Sequence, residues 1–214
     1  MSCSAQCRGI EREFDAKQAQ RMLDRYRRQG PRKTTRILLD ALRARGVQGA
    51  TLLDIGGGVG TIQHELIDAG VVRAVGVDAS NAYLEAHRQE ARRRGHEDRI
   101  DLRFGDFVDL AATIEPADVV TLDRVICCYD DMESLVGLAG DRARRLLGLV
   151  YPRVEWWTKV YIPLENLYFR ARRSDFRSYL HSDRAVQAIL GRLGFARAFL
   201  QTTAIWQVEV HERL

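Results

Sequence analysis

An apolar run, Thr51 to Ile55, leads directly into Gly56, Gly57, Gly58, Val59 and Gly60, and a helix-compatible stretch, Thr61 to Ile67, follows at once. Alternate glycines at such a junction point to a buried parallel strand, a tight turn and a helix. Glycine admits positive φ and lets the main chain approach a ligand that a Cβ would hold off. A helix starting near Thr61 turns unpaired N–H groups toward the same place, so a nucleotide-type ligand is expected above the turn. The dinucleotide fingerprint G-x-G-x-x-G would need glycine at position 61 when counted from Gly56. That position is Thr61, and a frame starting at Gly58 fails as well.

The pattern that fits is acidic-x-G-x-G-x-G, from Asp54 to Gly60. A second apolar run ends at Asp78, 24 positions after Asp54 (78 − 54). An acidic side chain at the end of a second strand can accept hydrogen bonds from both ribose hydroxyls. A third marker is the run Arg103 to Phe107, which contains Gly105, Asp106 and Phe107, and a fourth, Ala117 to Leu122, enters the segment Asp123 to Tyr129. In these four markers, which span roughly residues 50–130, the chain resembles the class I S-adenosyl-L-methionine (SAM)-dependent methyltransferases. The resemblance implies SAM as cofactor and S-adenosyl-L-homocysteine as product. It implies cofactor contacts at Asp54, Gly56, Gly58, Gly60, Asp78, Ala79, Asp106, Phe107 and Asp123. Asp78 is then the ribose ligand, Asp106 the partner of the adenine amino group and Phe107 a cover for the ring.

Past the glycine-rich turn, strand and helix alternate. Strands are expected at 51–55, 72–77, 99–104, 117–122 and 146–151, and helices at 60–69, 80–94 and 131–145. Such alternation implies an α/β fold with a parallel sheet covered on both faces. Ligands in such sheets sit beyond the carboxyl ends of the strands, which puts Asp54, Asp78, Asp106 and Asp123 along one edge. After a helix from His181 to Leu193, the stretches 197–203 and 205–211 read as an antiparallel hairpin. The expected fold is Rossmann-like and doubly wound, a mostly parallel seven-stranded sheet with a C-terminal antiparallel hairpin. Residues 1–46 form a tail and two helices, about 11–29 and from Lys33 to Gly46, that the resemblance casts as a lid with contacts at Tyr26, Arg32 and Thr35. Residues 47–214 form the catalytic domain, broken by an aromatic and Arg-rich insertion at about 153–180.

At 214 residues and 46% hydrophobic the chain can bury one sizeable core. No apolar stretch is long enough to cross a bilayer and the N-terminus lacks a signal-peptide core, so a cytoplasmic protein is expected. The net charge is +4, but Lys17 to Arg45 carries ten basic residues against Asp24 and Asp40. That face is either a solvated surface or an attractor of acidic small molecules, nucleic acid or anionic lipid, so peripheral membrane contact stays open. No base-recognition motif accompanies it. Cys3 and Cys7 have no matching second pair, and the adjacent Cys127 and Cys128 are expected as thiols, so no metal site is expected.

Methyl transfer from a sulfonium is an in-line displacement, and the protein's main task is positioning. Candidates for acceptor contact or base are Tyr129, Asp123 and His64, with Asp130 and His181 behind them. The insertion carries Trp156, Trp157, Tyr161 and Tyr168 and then Arg170, Arg172, Arg173 and Arg177. Aromatic surface beside arginines suits a flat acceptor with carboxylates. The run Tyr26 to Arg36 and the run Asp123 to Tyr129 are similar to the branch that contains magnesium-protoporphyrin O-methyltransferase, which implies esterification of a tetrapyrrole carboxylate. Quinol, phenol or polyketide methylation, RNA methylation and nicotinamide-dependent oxidoreduction are the alternatives.

Overall fold

The computed structural model describes residues 5–172, 174 and 176–214, with residues 5–8 described by their backbone alone. Cys3, the Cys7 side chain and Arg173 therefore lie outside the described residues. Three helices come first: α1 (Ala5–Glu13), α2 (Ala16–Gln29) and α3 (Lys33–Arg43). The helix expected over 11–29 is thus two helices. Asp15 divides them, because its side chain accepts from the Gln18 N–H and caps α2.

The alternating region follows as β1 (Thr51–Ile55), α4 (Thr61–Asp68), β2 (Arg73–Asp78), α5 (Asn81–Arg94), β3 (Ile100–Phe104), α6 (Phe107–Leu110), β4 (Ala117–Asp123), α7 (Met132–Arg142) and β5 (Ala143–Pro152). The chain ends in α8 (Thr158–Ala171), α9 (Asp183–Arg192), β6 (Phe195–Thr202) and β7 (Trp206–Arg213). The sheet has seven strands in the order β3-β2-β1-β4-β5-β7-β6, with β7 antiparallel to both neighbours and the other pairs parallel. A boundary differs from expectation at α7: the helix expected over 131–145 stops at Arg142, and 143–145 already belong to β5. The Arg213 guanidinium donates to the Ala143 and Gly140 carbonyls, tying this loop-free junction to the last strand.

The sheet is buried on both faces. α3 and α4 cover one through Leu38, Leu42, Ile62 and Leu66, against Leu52, Val119 and Val210. α7 and α9 cover the other through Leu135, Val136, Val186 and Leu190, against Leu53, Val120 and Leu147. α2 packs separately on α5, with Leu23 and Tyr26 against Tyr83 and Ala86. That last contact hangs the N-terminal helices over the carboxyl ends of β1 and β2. No helix among the described residues is long and apolar enough to cross a membrane.

Candidate active site

β1 lies between β2 and β4, so the chain leaves β1 and β4 in different directions and a crevice opens above their ends. A cavity of about 540 Å³ occupies it. Its floor is the glycine turn, where Gly56 and Gly58 take φ of 64° and 57°. The Gly56 N–H donates to the Val77 carbonyl (2.8 Å) and the Gly58 N–H to Asp78 Oδ2 (2.9 Å), which fixes the turn against β2. A Cβ on Gly56 would sit 2.5 Å from Val125 Cγ2, and one on Gly57 2.6 Å from Asp54 Oδ2.

The four carboxylates meet around this floor, and all border the cavity. Asp54 is buried, with Oδ1 receiving the Thr121 hydroxyl (2.7 Å) and Oδ2 the Gln63 amide (3.3 Å). Burial pushes its pKa up to about 7 against those hydrogen bonds. It therefore braces the turn between β4 and α4. Asp78 accepts from Gly58 and from the Ser80 N–H (2.8 Å), and burial raises it to about 6. Asp106 caps α6 through the Val108 N–H (3.0 Å), and the Tyr129 hydroxyl reaches both its oxygens at 2.9 Å. Asp123 accepts from the Thr35 hydroxyl (2.5 Å), with burial again raising its pKa. Its Oδ1 is buried without a hydrogen bond among the described residues, 3.9 Å from the Arg124 Nε.

Of the other residues expected here, Ala79, Phe107, Tyr129, Tyr26, Arg32 and Thr35 border the cavity. Phe107 does so from the core, where only 4% of it is exposed. Three expectations are corrected. Gly60 does not border the cavity; it starts α4 in the left-handed region, and a Cβ there would collide with the His87 ring. His64 is also absent from the wall. It is fully buried against α5, with Nδ1 3.1 Å from His96 Nδ1, and burial lowers its pKa to about 2. A neutral ring in that position has no path to an acceptor. Tyr129, expected as an acceptor contact, borders the cavity, its phenol donates to Asp106, and burial and that carboxylate raise its pKa, which disfavours a role as base. Finally, Arg170 and Arg172 face outward and Arg177 donates to the Ser174 and Phe176 carbonyls, so none of these three lines the cavity.

The guanidiniums that do line it are Arg25, Arg32 and Arg124. Arg124 has φ 65°, rare for a residue with a side chain. It donates to the Thr34 hydroxyl (2.5 Å) and stacks 4.9 Å over Trp206. Arg25 and Arg32 have no hydrogen bond or ion pair among the described residues, and partial burial next to Arg124 lowers the Arg32 pKa. Phe14, Met22, Tyr83 and Phe176 add apolar wall, with Phe14 edge-on to both Tyr83 and Phe176. Apart from Arg32 these contributors come from distant segments and carry no local sequence signal.

A glycine turn and acidic residues at the strand ends, on a seven-stranded sheet with an antiparallel β7, define a class I methyltransferase domain. Residues 47–147, a little under half of the chain, match the family described as a methyltransferase domain, and the fold is the one class I SAM-dependent methyltransferases share. The structure is similar to that of magnesium protoporphyrin IX methyltransferase from Synechocystis PCC 6803, solved with bound SAH. The TM-score is 0.71 at 21% identity, covering 96% of this chain and 98% of that one. An O-methyltransferase family protein from Burkholderia thailandensis gives a TM-score of 0.70 at 16% identity, covering 94% and 61%. In sequence, the ribosomal protein L11 methyltransferase of Alteromonas mediterranea is 32% identical over 123 residues, 55% of this chain and 42% of that protein. The match thus spans less than half the length of that curated relative.

Proposed function

We propose that the protein methylates a small, flat, anionic acceptor in this cavity, with a tetrapyrrole carboxylate as the acceptor class. The observation that carries this reading is the pair Arg25 and Arg32, lining an aromatic cavity without a hydrogen bond or close ion pair among the described residues, with Asp123 the one carboxylate near enough to act on Arg32. A desolvated guanidinium seeks a planar anion that it can bind in bidentate fashion. The N-terminal helices that bear the pair act as the lid, and Phe14, Met22 and Tyr83 cover the flat face of the acceptor.

The residues present fit SAM. Glycines with positive φ open the floor, Asp78 at the end of β2 would accept from ribose hydroxyls, and Asp123 Oδ1, which has no hydrogen bond among the described residues, would suit the methionyl ammonium. When bound, SAM supplies an electrophilic sulfonium methyl. Asp106 receives the adenine amino group, with Tyr129 fixing the carboxylate's orientation. Arg25 and Arg32 would bind and orient the acceptor carboxylate in the cavity. A carboxylate is already ionised at neutral pH, so the residues around it need only orient it and exclude water.

Transfer of label from methyl-labelled SAM to tetrapyrrole carboxylates, quinols and phenols tests the reading. Label on a tetrapyrrole that mild alkali releases supports a methyl ester; alkali-stable label on a quinol or phenol overturns the carboxylate role. Replacement of Arg32 or Arg25 by Gln is expected to raise the acceptor KM by roughly tenfold or more, the loss of one charge-assisted hydrogen bond. The dissociation constant of SAH should change little; equal effects on both ligands would move the arginines to the cofactor.

The Asp78 carboxyl supplies a pH test. In the ligand-free protein burial holds it protonated up to about pH 6, whereas ribose hydroxyls donate to its ionised form. Affinity for SAH is therefore present above that value and lost as pH falls through it, by roughly tenfold between pH 7 and pH 5. Calorimetry showing constant affinity across this window would remove Asp78 from the ribose site.

A further inference from the structure

α8 is built inside out. Its turn of 3.6 residues sets Val160, Leu164, Leu167 and Ala171 in one row, with Tyr161 and Tyr168 along one border, and this row faces solvent. Leu164 and Leu167 are 60% and 61% exposed, and Trp156, just ahead of the helix, is 79% exposed. Asn166 and Glu165 lie off this row. Asn166 exchanges two hydrogen bonds with the Ser178 backbone (2.8 and 2.9 Å), and Glu165 borders the cavity. Phe169 packs edge-on against Phe176, 5.1 Å between centroids, so the inner face of the helix is fastened and its outer face has no covering element among the described residues.

The charges around the row decide what covers it. Lys159 and Arg170 flank it on one side and Arg172 on the other, the last donating to the Tyr168 hydroxyl (3.0 Å). The one carboxylate on the helix, Glu165, borders the cavity and accepts from the hydroxyl of Tyr161 at the edge of the row. An apolar row with basic flanks and with Trp and Tyr at its borders matches the headgroup boundary of an anionic bilayer: the alkyl row enters the acyl region, the rings sit at the interface and the cations meet phosphate. A second copy fits poorly, because two-fold pairing of antiparallel helices would set Lys159 of one chain against Arg170 of the other.

We propose that the outer face of α8 is a docking surface for anionic membrane, holding the cavity mouth at the lipid–water boundary. This does not rest on the assignment of the acceptor. The full chain is mixed with vesicles of phosphatidylcholine alone or with a minor fraction of phosphatidylglycerol, and the bound fraction is measured by sedimentation at low and high salt. Binding to the anionic vesicles is expected, weakened by salt and by Lys159→Gln with Arg170→Gln. Leu164→Glu with Leu167→Glu should lower the partition coefficient at least tenfold while leaving the melting temperature and SAH affinity unchanged. Absence of binding to anionic vesicles overturns the proposal, as does binding that the leucine pair does not affect. A dimer in sedimentation velocity that dissociates in that variant, without vesicle binding, assigns the face to a second copy instead.

Discussion

Asp78→Ala is expected to weaken binding of SAH at least tenfold, and roughly a hundredfold where both ribose hydroxyls depend on it. Hydrogen bonds to a charged acceptor contribute about 1.5–3 kcal/mol each, and Asp78 stands where the cavity floor meets the end of β2. The substitution also takes the acceptor from the Gly58 and Ser80 N–H groups, which hold the turn. Against that loss, it removes a carboxylate whose pKa burial raises to about 6, a sign that the folded protein bears a cost for its charge. The ligand-free melting temperature is therefore expected to move little while the affinity collapses. Asp78→Asn keeps two acceptor lone pairs without the charge and should fall between the two. Calorimetry that gives unchanged affinity for the Ala variant would sink the ribose assignment, and a large loss of ligand-free stability would make the residue a scaffold element first.

Gly60→Ala is expected to destabilise the ligand-free protein by about 2–4 kcal/mol, although Gly60 does not border the cavity. At φ 79° a Cβ costs about 1–2 kcal/mol by itself. The added carbon also meets the His87 ring, which is buried against His64 of α4, and overpacking of this kind costs about 1–3 kcal/mol. The two parts are separable. His87→Ala should relieve the steric part, so the double variant loses less than the two single variants together, a coupling that a double-mutant cycle measures in denaturant. Strict additivity would show that the ring yields without strain. A loss confined to SAH affinity, with stability intact, would return Gly60 to the ligand-binding set.

How far the site was legible in the sequence follows from how locally each part is determined. Asp54, Gly56 and Gly58 lie within five consecutive positions of a strand-to-turn junction, and Asp78 ends the next apolar run. Such features depend on chain geometry a few residues long. Arg32 could be named from its hinge beside Gly30 and Pro31. Arg25, Tyr83 and Phe14 could not, since α-helical periodicity gives a facing direction only once the neighbouring helix is known. The arginines of the insertion misled for the same reason: composition placed aromatic and basic residues together, but α8 turned its basic and apolar residues away from the cavity.

By itself the sequence determined the alternation of strands and helices, the glycine turn, the order of the four carboxylates and the closing hairpin, because periodicity and backbone freedom are properties of short segments. Tertiary packing alone decided which side chains face the crevice. Burial against α5 made His64 a core residue, the hydrogen bond to Asp106 made Tyr129 a donor, and the docking of α2 over β1 and β2 brought Arg25 to the wall. Those outcomes rest on contacts between residues far apart in the chain, and desolvation and pairing act only after such contacts exist.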